Sequence, residues 1–356
     1  MRSPRNAVAA AALAVFVLMP IVGSDFFIAF VMTRAVMLGL AASTIVFLSS
    51  YGGMASLAQF LFVGVAGFMI GNAVGEGGTK GLKLGWNPWV GVLFALAVTA
   101  VLALGLGALA SRTSGIYFLM LTLTYAVIGY YFFGQVTTFS GFGGITGIEP
   151  PALFHGHPLR FYYLCVTLSL VVYAVFRSLA RSPFGLALQG VRDDPVRMAS
   201  LGFNVALQRT IAFTIAGFVA GIAGVLNIWW NGQIDPTSIS IGPTIDLLIV
   251  AVIGGIAHLE GAWLGAIVFV VANNYMRDLP LASTIGLTEA RFNTVVGLIV
   301  LLIMVLSPDG LVGVILRIRS GVSGPAGGRS RTRTHVDSGG PTPITVSTQL
   351  TEGSTK

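Results

Sequence analysis

The chain has 356 residues, of which 55% are hydrophobic and only 9% are charged, and its mean hydropathy is +0.86. Soluble domains carry about 25% charged residues, so this composition excludes a soluble globular class and indicates an integral membrane protein. The net charge of +7 does not indicate a nucleic-acid partner. The Lys and Arg residues fall in loops and in the tail, where membrane topology places them.

Continuous apolar runs such as residues 90–110 favour helices over a β-barrel, whose strands alternate apolar and polar residues. We expect an all-α integral membrane protein with about ten (roughly 8–10) transmembrane helices, including a short broken or re-entrant pair. A single cysteine, Cys165, excludes a cysteine-based metal or disulfide framework, and His155 and His157 lack the further donors that a metal needs. No bound cofactor or metal is therefore expected.

The first predicted element is an apolar run over residues 7–22, which follows Arg2 and Arg5. It resembles a signal peptide and is only marginally long enough to span a bilayer. We interpret residues 1–25 as an N-terminal segment with an uncleaved first helix, and cleavage near Gly23 is the alternative.

Nine further apolar runs predict the membrane domain, which we place at residues 26–310. They cover residues 27–48, 54–73, 88–110, 115–133, 161–180, 208–231, 244–257, 262–276 and 292–306. With about ten crossings, both termini lie on one side of the membrane together with 14 of the 20 Lys and Arg residues, and the positive-inside rule makes that side cytoplasmic.

An even number of crossings, with both termini on the same side, requires two short elements and not one long helix between residues 244 and 276. The break falls at residues 254–261, where His258 and Glu260 would lie at a turn instead of in lipid, where a carboxylate is costly. A re-entrant pair that never fully crosses also satisfies the parity. The tight turn and close packing are predicted to depend on four glycines: Gly254, Gly255, Gly261 and Gly265.

Two polar regions flank the middle of the chain. The loop over residues 134–160 is long for a connection and is rich in Gly, which favours a functional lid or a docking surface. The tail over residues 311–356 is rich in Ser, Thr, Gly, Pro and Arg and is predicted to be a disordered cytoplasmic tail. Its Arg cluster would attract anionic membrane lipid.

The longest polar interruption of the apolar chain is residues 181–209, named here the polar segment. Asp194 followed by Pro195 predicts a helix start, since Asp caps free N–H groups and Pro suits the first helical position. The helix would end at Gly202 and form a rigid knob beside a loop of Gly, Arg and Asp; a start at Phe184 remains open. The alternative is a solvated connecting loop with ordinary cytoplasmic charge.

No enzyme motif is present in the sequence. The run GEGGTKG at residues 75–81 lacks the spacing of a phosphate-binding loop, so the chain itself is not expected to hydrolyse ATP. Asp246 is interpreted as interfacial, and Arg34 as a side chain that extends to the outer interface. No second buried charge is expected to pair with either residue in an obvious relay, which argues against an ion-gradient-driven carrier.

Five stretches, in chain order, resemble the permease subunits of branched-chain amino acid ABC transporters, of the LIV type and M-like. The polar segment resembles the family's cytoplasmic coupling loop through Gly185, Ala187, Arg192, Asp193, Ala199, Leu201 and Gly202. Residues 50–68, 114–128 and 252–269 resemble three of its Gly-containing segments, and FSGFGGITGI resembles its external loop. The matches include Tyr51, Gly53, Ser56, Leu57, Gly115, Ile116, Tyr117, Phe118, Thr122, Gly254, Gly255, Gly261 and Gly265.

The resemblance implies half of a pathway for importing branched-chain or related hydrophobic amino acids across a bacterial inner membrane. The implied partners are a second related permease, two ATP-binding subunits that use ATP, and a periplasmic or lipid-anchored binding protein. The residues implied in ATPase coupling are Gly185, Arg192, Asp193, Asp194, Pro195, Ala199, Leu201 and Gly202. Those expected along the substrate pathway are Tyr51, Ser56, Gln59, Tyr117, Thr122, Gly141 and Gly144.

Departures from the family pattern leave alternatives open. Met54 stands where the family often has Gln, Ala58-Gln59 where it often has Gly-His, and Gly143 where a polar residue is common. These positions leave a urea or amide permease as one alternative. An ion-gradient carrier and a non-transporting scaffold are the others, and helix packing and local backbone bonds would equally explain the proposed pathway residues.

Overall fold

A computed structural model describes residues 27–75, 84–140, 143–151, 153–154, 156–278 and 310–313. The described helices are α1 (Thr33–Gly52), α2 (Gln59–Val74), α3 (Pro88–Ala110), α4 (Ile116–Gln135), α5 (Thr137–Ser140), α6 (Pro158–Arg181), α7 (Pro183–Asp193), α8 (Pro195–Ser200), α9 (Val205–Asn231), α10 (Ile241–Gly254) and α11 (Gly261–Asp278). A π-helical turn, Phe27–Met32, leads into α1, and a 3-10 turn, Pro236–Ile239, precedes α10.

Five of the described helical segments are long and apolar enough to cross a membrane: α1 with the turn before it, α3, α4, α6 and α9. Helices α2, α10 and α11 are shorter but also apolar. Eight of the predicted runs therefore coincide with helices, and Pro88–Ala110 has the predicted bounds. The predicted spans at 7–22 and 292–306, like residues 1–25 and 314–356, lie outside the described residues, so the total of about ten spans stays a prediction.

Helix α1 is the centre of the bundle. In the apolar window of Phe30–Gly52, 89% of residues are buried, whereas the figure is 22% for α3. Helices α6, α9, α10 and α11 all pack against α1. The core is tied together by aromatic pairs such as Phe47 on α1 and Phe176 on α6, whose rings stack with centroids 4.4 Å apart. The broad outer faces of α3 and α4 are thus left for lipid or another subunit.

Close helix crossings depend on small residues. Helix α9 crosses α2 at Gly224, where a Cβ atom would lie 2.1 Å from the carbonyl oxygen of Val63. Helix α11 approaches α1 at Gly39, where a Cβ atom would lie 2.7 Å from the Trp263 ring. In a membrane, such backbone approach gives the van der Waals contact that holds helices together.

The predicted break between α10 and α11 is confirmed. Helix α10 ends at Gly254 and α11 begins at Gly261, and Gly255 has a φ of +110° that favours glycine. A Cβ atom on Gly254 would lie 1.9 Å from the Gly261 carbonyl oxygen, and one on Gly265 would lie 2.1 Å from that of Val250. All four predicted glycines therefore lie where the two short helices touch backbone to backbone.

The two ends of the bundle differ in structure. At one end, the strands β1 (Ile145–Thr146) and β2 (Gln233–Ile234) pair antiparallel, with Ile145 opposite Ile234. At the other end lie α7, which contacts the last turn of α1, and α8, which contacts α7 and α9. Since α1 has 20 residues, these ends are about 30 Å apart, the thickness of a hydrocarbon core.

We expect Gly224→Ala to lower the free energy of unfolding by about 1–3 kcal/mol, because the new methyl group would meet backbone that no rotamer change can move. Gly105→Ala is the matched control, since a Cβ atom there meets nothing within 4 Å. Thermal unfolding in detergent measures both variants. Equal unfolding midpoints for the two variants would show that the α2–α9 crossing tolerates a wider spacing.

Candidate functional site

The polar segment begins with a helix, not with a loop. Ser182 ends α6 and caps α7: its Oγ accepts a hydrogen bond from the Gly185 N–H at 3.2 Å and donates to the Leu179 carbonyl at 2.7 Å. Pro183 occupies the first helical position. The predicted loop of Gly, Arg and Asp before Asp194 was therefore wrong, and the alternative start at Phe184 lies one residue from the observed start. Ser-Pro at 182–183 is the same start signal as Asp-Pro at 194–195 and could have revealed α7.

The second helix of the segment, α8, is as predicted. Asp194 Oδ1 accepts a hydrogen bond from the Arg197 N–H at 3.0 Å, and Pro195 is its first residue. Helix α8 ends at Ser200, followed by Leu201 and by Gly202 with a φ of +89°. The segment is thus two rigid helices joined at the capping residue Asp194.

Three contacts fix α7 to the rest of the bundle. At Gly185 a Cβ atom would lie 2.1 Å from the Leu179 carbonyl oxygen, so this glycine permits the sharp corner with α6. Leu188 and Val191 are fully buried. The Arg192 guanidinium donates a hydrogen bond to the Ser50 carbonyl at the end of α1 and forms an exposed ion pair with Asp193 at 2.8 Å. Motion of α7 must therefore be shared with α1 and α6.

The outward surface of the segment carries exposed apolar side chains. Val196 is 77% exposed, and α8 has no buried residue; Ala199, Asp193 and Asp194 are also exposed. We name as the docking patch the exposed apolar residues Leu186, Val196, Leu201 and Phe203. An apolar patch rimmed by charged residues is typical of a protein–protein contact.

A buried ion pair joins α6 to the turn between α10 and α11. Arg177 lies 3.2 Å from Glu260, whose side chain is only 5% exposed. The Tyr173 hydroxyl donates a hydrogen bond to Glu260 Oε1 at 2.8 Å and accepts one from Arg177. The sequence placed Glu260 at a turn but did not identify these partners. A carboxylate in an apolar turn requires a cation, although nothing in the chain order says which one.

Three of the predicted pathway residues come close together in the buried interior. The Leu57 N–H donates a hydrogen bond to Thr122 Oγ1 at 3.1 Å, and Gln59 Nε2 donates to Ser56 Oγ at 3.4 Å. Ser56, Gln59 and Thr122 are all fully buried. They therefore fasten the connection between α1 and α2 to α4.

The other predicted pathway residues are scattered. Tyr51 is half-buried, with its ring 5.7 Å from that of Phe47. Tyr117 is 73% exposed on α4. Gly144 lies beside β1 with a φ of +115°, and Gly141 lies outside the described residues. The structure thus does not bring the six described positions into one site.

An open cavity of about 910 Å³ lies between α1, α2, α9, α10 and α11. Its polar lining comprises Arg34, Asn227, Asn231, Ser238, Asp246 and Asn274. Arg34 and Asp246, which were interpreted one at a time from the sequence, both line this cavity, although within the described residues they form no salt bridge with each other. The two residues lie 212 positions apart in sequence, so sequence spacing gave no signal of this shared cavity.

We expect Arg177→Ala to lower the free energy of unfolding by about 3 kcal/mol, because it leaves the buried Glu260 charge unpaired. Arg181→Ala is the matched control, one helical turn later on α6 and exposed. Adding Glu260→Gln to Arg177→Ala should restore part of the loss by removing the charge. Thermal unfolding in detergent checks all three variants, and equal midpoints for Arg177→Ala and Arg181→Ala would contradict a stabilising ion pair.

Comparison with known proteins places the chain among membrane transport subunits. Residues 27–307 match the family described as the permease component of branched-chain amino acid transport systems. The chain is 31% identical over 193 residues to the high-affinity branched-chain amino acid transport system permease protein LivM of Salmonella typhimurium, covering 53% of this chain and 42% of LivM. For LivM of Escherichia coli the identity is 32% over 180 residues, covering 50% and 39%.

A more distant relative matches over a longer stretch. The probable branched-chain amino acid transport permease protein LivM of Methanocaldococcus jannaschii is 23% identical over 294 residues, covering 77% of this chain and 84% of that protein. The chain spans less than half the length of the two enterobacterial relatives, and no solved structure matches it significantly. The family match contains the helices α1 to α11, the polar segment and the cavity, and the chain therefore belongs to the permease component family of branched-chain amino acid transport systems.

Proposed function

We propose that this chain is the permease subunit of an ABC importer and forms half of the translocation pathway for branched-chain or related hydrophobic amino acids. The observation that carries the proposal is the polar segment, with two capped helices that present the docking patch at one end of the bundle. An apolar surface of this kind suits a partner that delivers force. The partners that use ATP would be two ATP-binding subunits seated on this patch.

The contacts of the segment suggest how force would travel. A push on α7 and α8 would pass to α1 through Arg192 and Ser50, and to α6 across the corner at Gly185. From α6 it would reach the turn between α10 and α11 through Arg177 and Glu260. Helices α1, α10 and α11 enclose the cavity, so displacement of the docking patch would reshape the cavity's walls.

The orientation follows from charge. The end that carries α7 and α8 also carries Arg112, Arg181, Arg192, Arg197 and Arg209, and an excess of Arg marks the cytoplasmic side. The cavity then opens towards the outer side of a bacterial inner membrane. In this arrangement the chain has about ten spans and both termini are cytoplasmic.

The outer surfaces leave room for the remaining partners. Helices α3 and α4 expose large apolar side chains, among them Leu93, Val101, Met120 and Ile128, which suit lipid on one side and a second related permease on the other. A periplasmic or lipid-anchored binding protein would deliver substrate at the end that carries β1 and β2.

We expect Val196→Asp to reduce ATP-dependent uptake of L-leucine about tenfold or more in cells that express the complete transporter. The new carboxylate would be desolvated when a partner covers the docking patch, and an unpaired charge there weakens binding strongly. Folding should be unaffected because Val196 is 77% exposed. Co-purification of the ATP-binding subunits should fall in parallel with uptake.

Ser114→Asp is the matched control, since it adds the same charge to an exposed loop at the same end of the bundle and should leave uptake unchanged. Normal ATP-dependent uptake by Val196→Asp would refute the docking patch. Uptake by the chain alone in liposomes with an ion gradient and no ATP would instead identify a secondary carrier. ATP-dependent uptake of urea in place of leucine would identify an amide permease.

A further inference from the structure

The cavity presents two opposite charges to the same space. Arg34, on the first turn of α1, and Asp246, on the second turn of α10, both line it and are both exposed. Within the described part of the chain, their charged groups form no salt bridge with each other or with another residue. Each charge is therefore open to a ligand, although the two are close enough to influence one another.

The rest of the cavity lining includes polar and apolar side chains. Asn227 and Asn231 project from adjacent turns of α9, and Asn231 Nδ2 donates a hydrogen bond to Asn227 Oδ1. The apolar part of the lining consists mainly of Phe30, Met37, Leu38, Phe60, Trp230 and Phe269. Trp230 is held between two rings, with centroids 5.9 Å from Phe30 and 5.6 Å from Phe161. These ring contacts fix the position of Trp230 in the wall.

The cavity lies at the end of the bundle away from the docking patch. Arg34 is at the start of α1, whereas Ser50, which binds Arg192 of the polar segment, is near its end. Asn231 is the last residue of α9, which begins just after the polar segment. Arg34 is thus about 24 Å of helix from Ser50, so the charged part of the cavity lies towards the end of the bundle opposite the docking patch.

We propose that this cavity binds a free amino acid as its zwitterion, with Arg34 receiving the α-carboxylate, Asp246 the α-ammonium group, and the apolar wall the aliphatic side chain. The inference rests on the proposed function and adds to it the residues of this chain that bind each charged group of the substrate. An Arg guanidinium is matched to a carboxylate by its two parallel N–H donors. A chamber of about 910 Å³ is also within the usual size range of small-molecule sites.

The same arrangement disfavours urea and simple amides. These molecules carry no net charge on either end, so their binding would leave both Arg34 and Asp246 without a charged partner while removing water from them. A charge that loses water on binding and gains no charged partner costs more free energy than a neutral hydrogen bond from the ligand returns. The departures at Met54, Ala58 and Gln59 do not oppose this assignment, because none of these residues lines the cavity.

The test is equilibrium binding of tritiated L-leucine to the full chain in nanodiscs, by scintillation proximity, with unlabelled competitors. Leucinamide lacks the carboxylate, 4-methylpentanoate lacks the ammonium group, and urea lacks both. The wild-type chain should bind leucine and prefer it to all three. Arg34→Ala should weaken leucine binding about tenfold and abolish the preference over leucinamide, whereas Asp246→Asn should abolish the preference over 4-methylpentanoate.

Arg160→Ala, an exposed Arg outside the cavity lining, should bind as the wild type does. The exchange of preference between the two analogues is a readout that a purely structural role of Arg34 or Asp246 would not produce. The proposal is overturned if the wild type binds no leucine, if urea competes as well as leucine, or if both variants keep the wild-type ranking. Leucine uptake by the complete transporter, measured separately, would still stand in those cases, so the two failures are distinguishable.

Discussion

The ion pair between Arg177 and Glu260 is the contact on which the arrangement of the helices depends. A carboxylate that is only 5% exposed inside an apolar bundle is tolerated only when a cation and further donors surround it. Arg177 and Tyr173 provide both from α6. Glu260 lies in the turn between two short helices. Its contacts with Arg177 and Tyr173 therefore fix the position of that turn, and of α10 and α11, relative to α6.

Much of the fold was predictable because the bilayer restricts the chain so strongly. Helix bounds follow from where apolar runs meet Pro, Gly or charge, as at Pro88 and at the Gly254–Gly261 break. What could not be predicted depends on tertiary placement. The helix α7 contains Gly185, Gly190 and charged residues, which suggest a loop locally, but burial of Leu188 and Val191 against its neighbours makes it a helix.

The site was less predictable than the fold for a related reason. Ser56, Gln59 and Thr122 are polar residues in apolar runs, and that pattern fits a pathway and a buried packing contact equally well. In the structure the Ser56 and Thr122 hydroxyls form backbone hydrogen bonds, while the buried Gln59 Oε1 has no hydrogen-bond partner among the described residues, so a pathway role for these residues stays a prediction. Arg34 and Asp246, conversely, were interpreted as interfacial one at a time, since only folding brings the start of α1 beside α10.

The burial of α1 has a consequence for how the protein enters the membrane. This helix leaves the ribosome before α9 and α11, the two helices that later cover much of it, so it must first face lipid alone. Its buried hydroxyls suit that interval: Ser43 Oγ donates to the Leu40 carbonyl and Thr44 Oγ1 to the Ala41 carbonyl, both at 2.6 Å within the helix itself. Because these groups need no partner from another helix, α1 can insert into lipid alone and can later be buried by α9 and α11 with its hydroxyl hydrogen bonds unchanged.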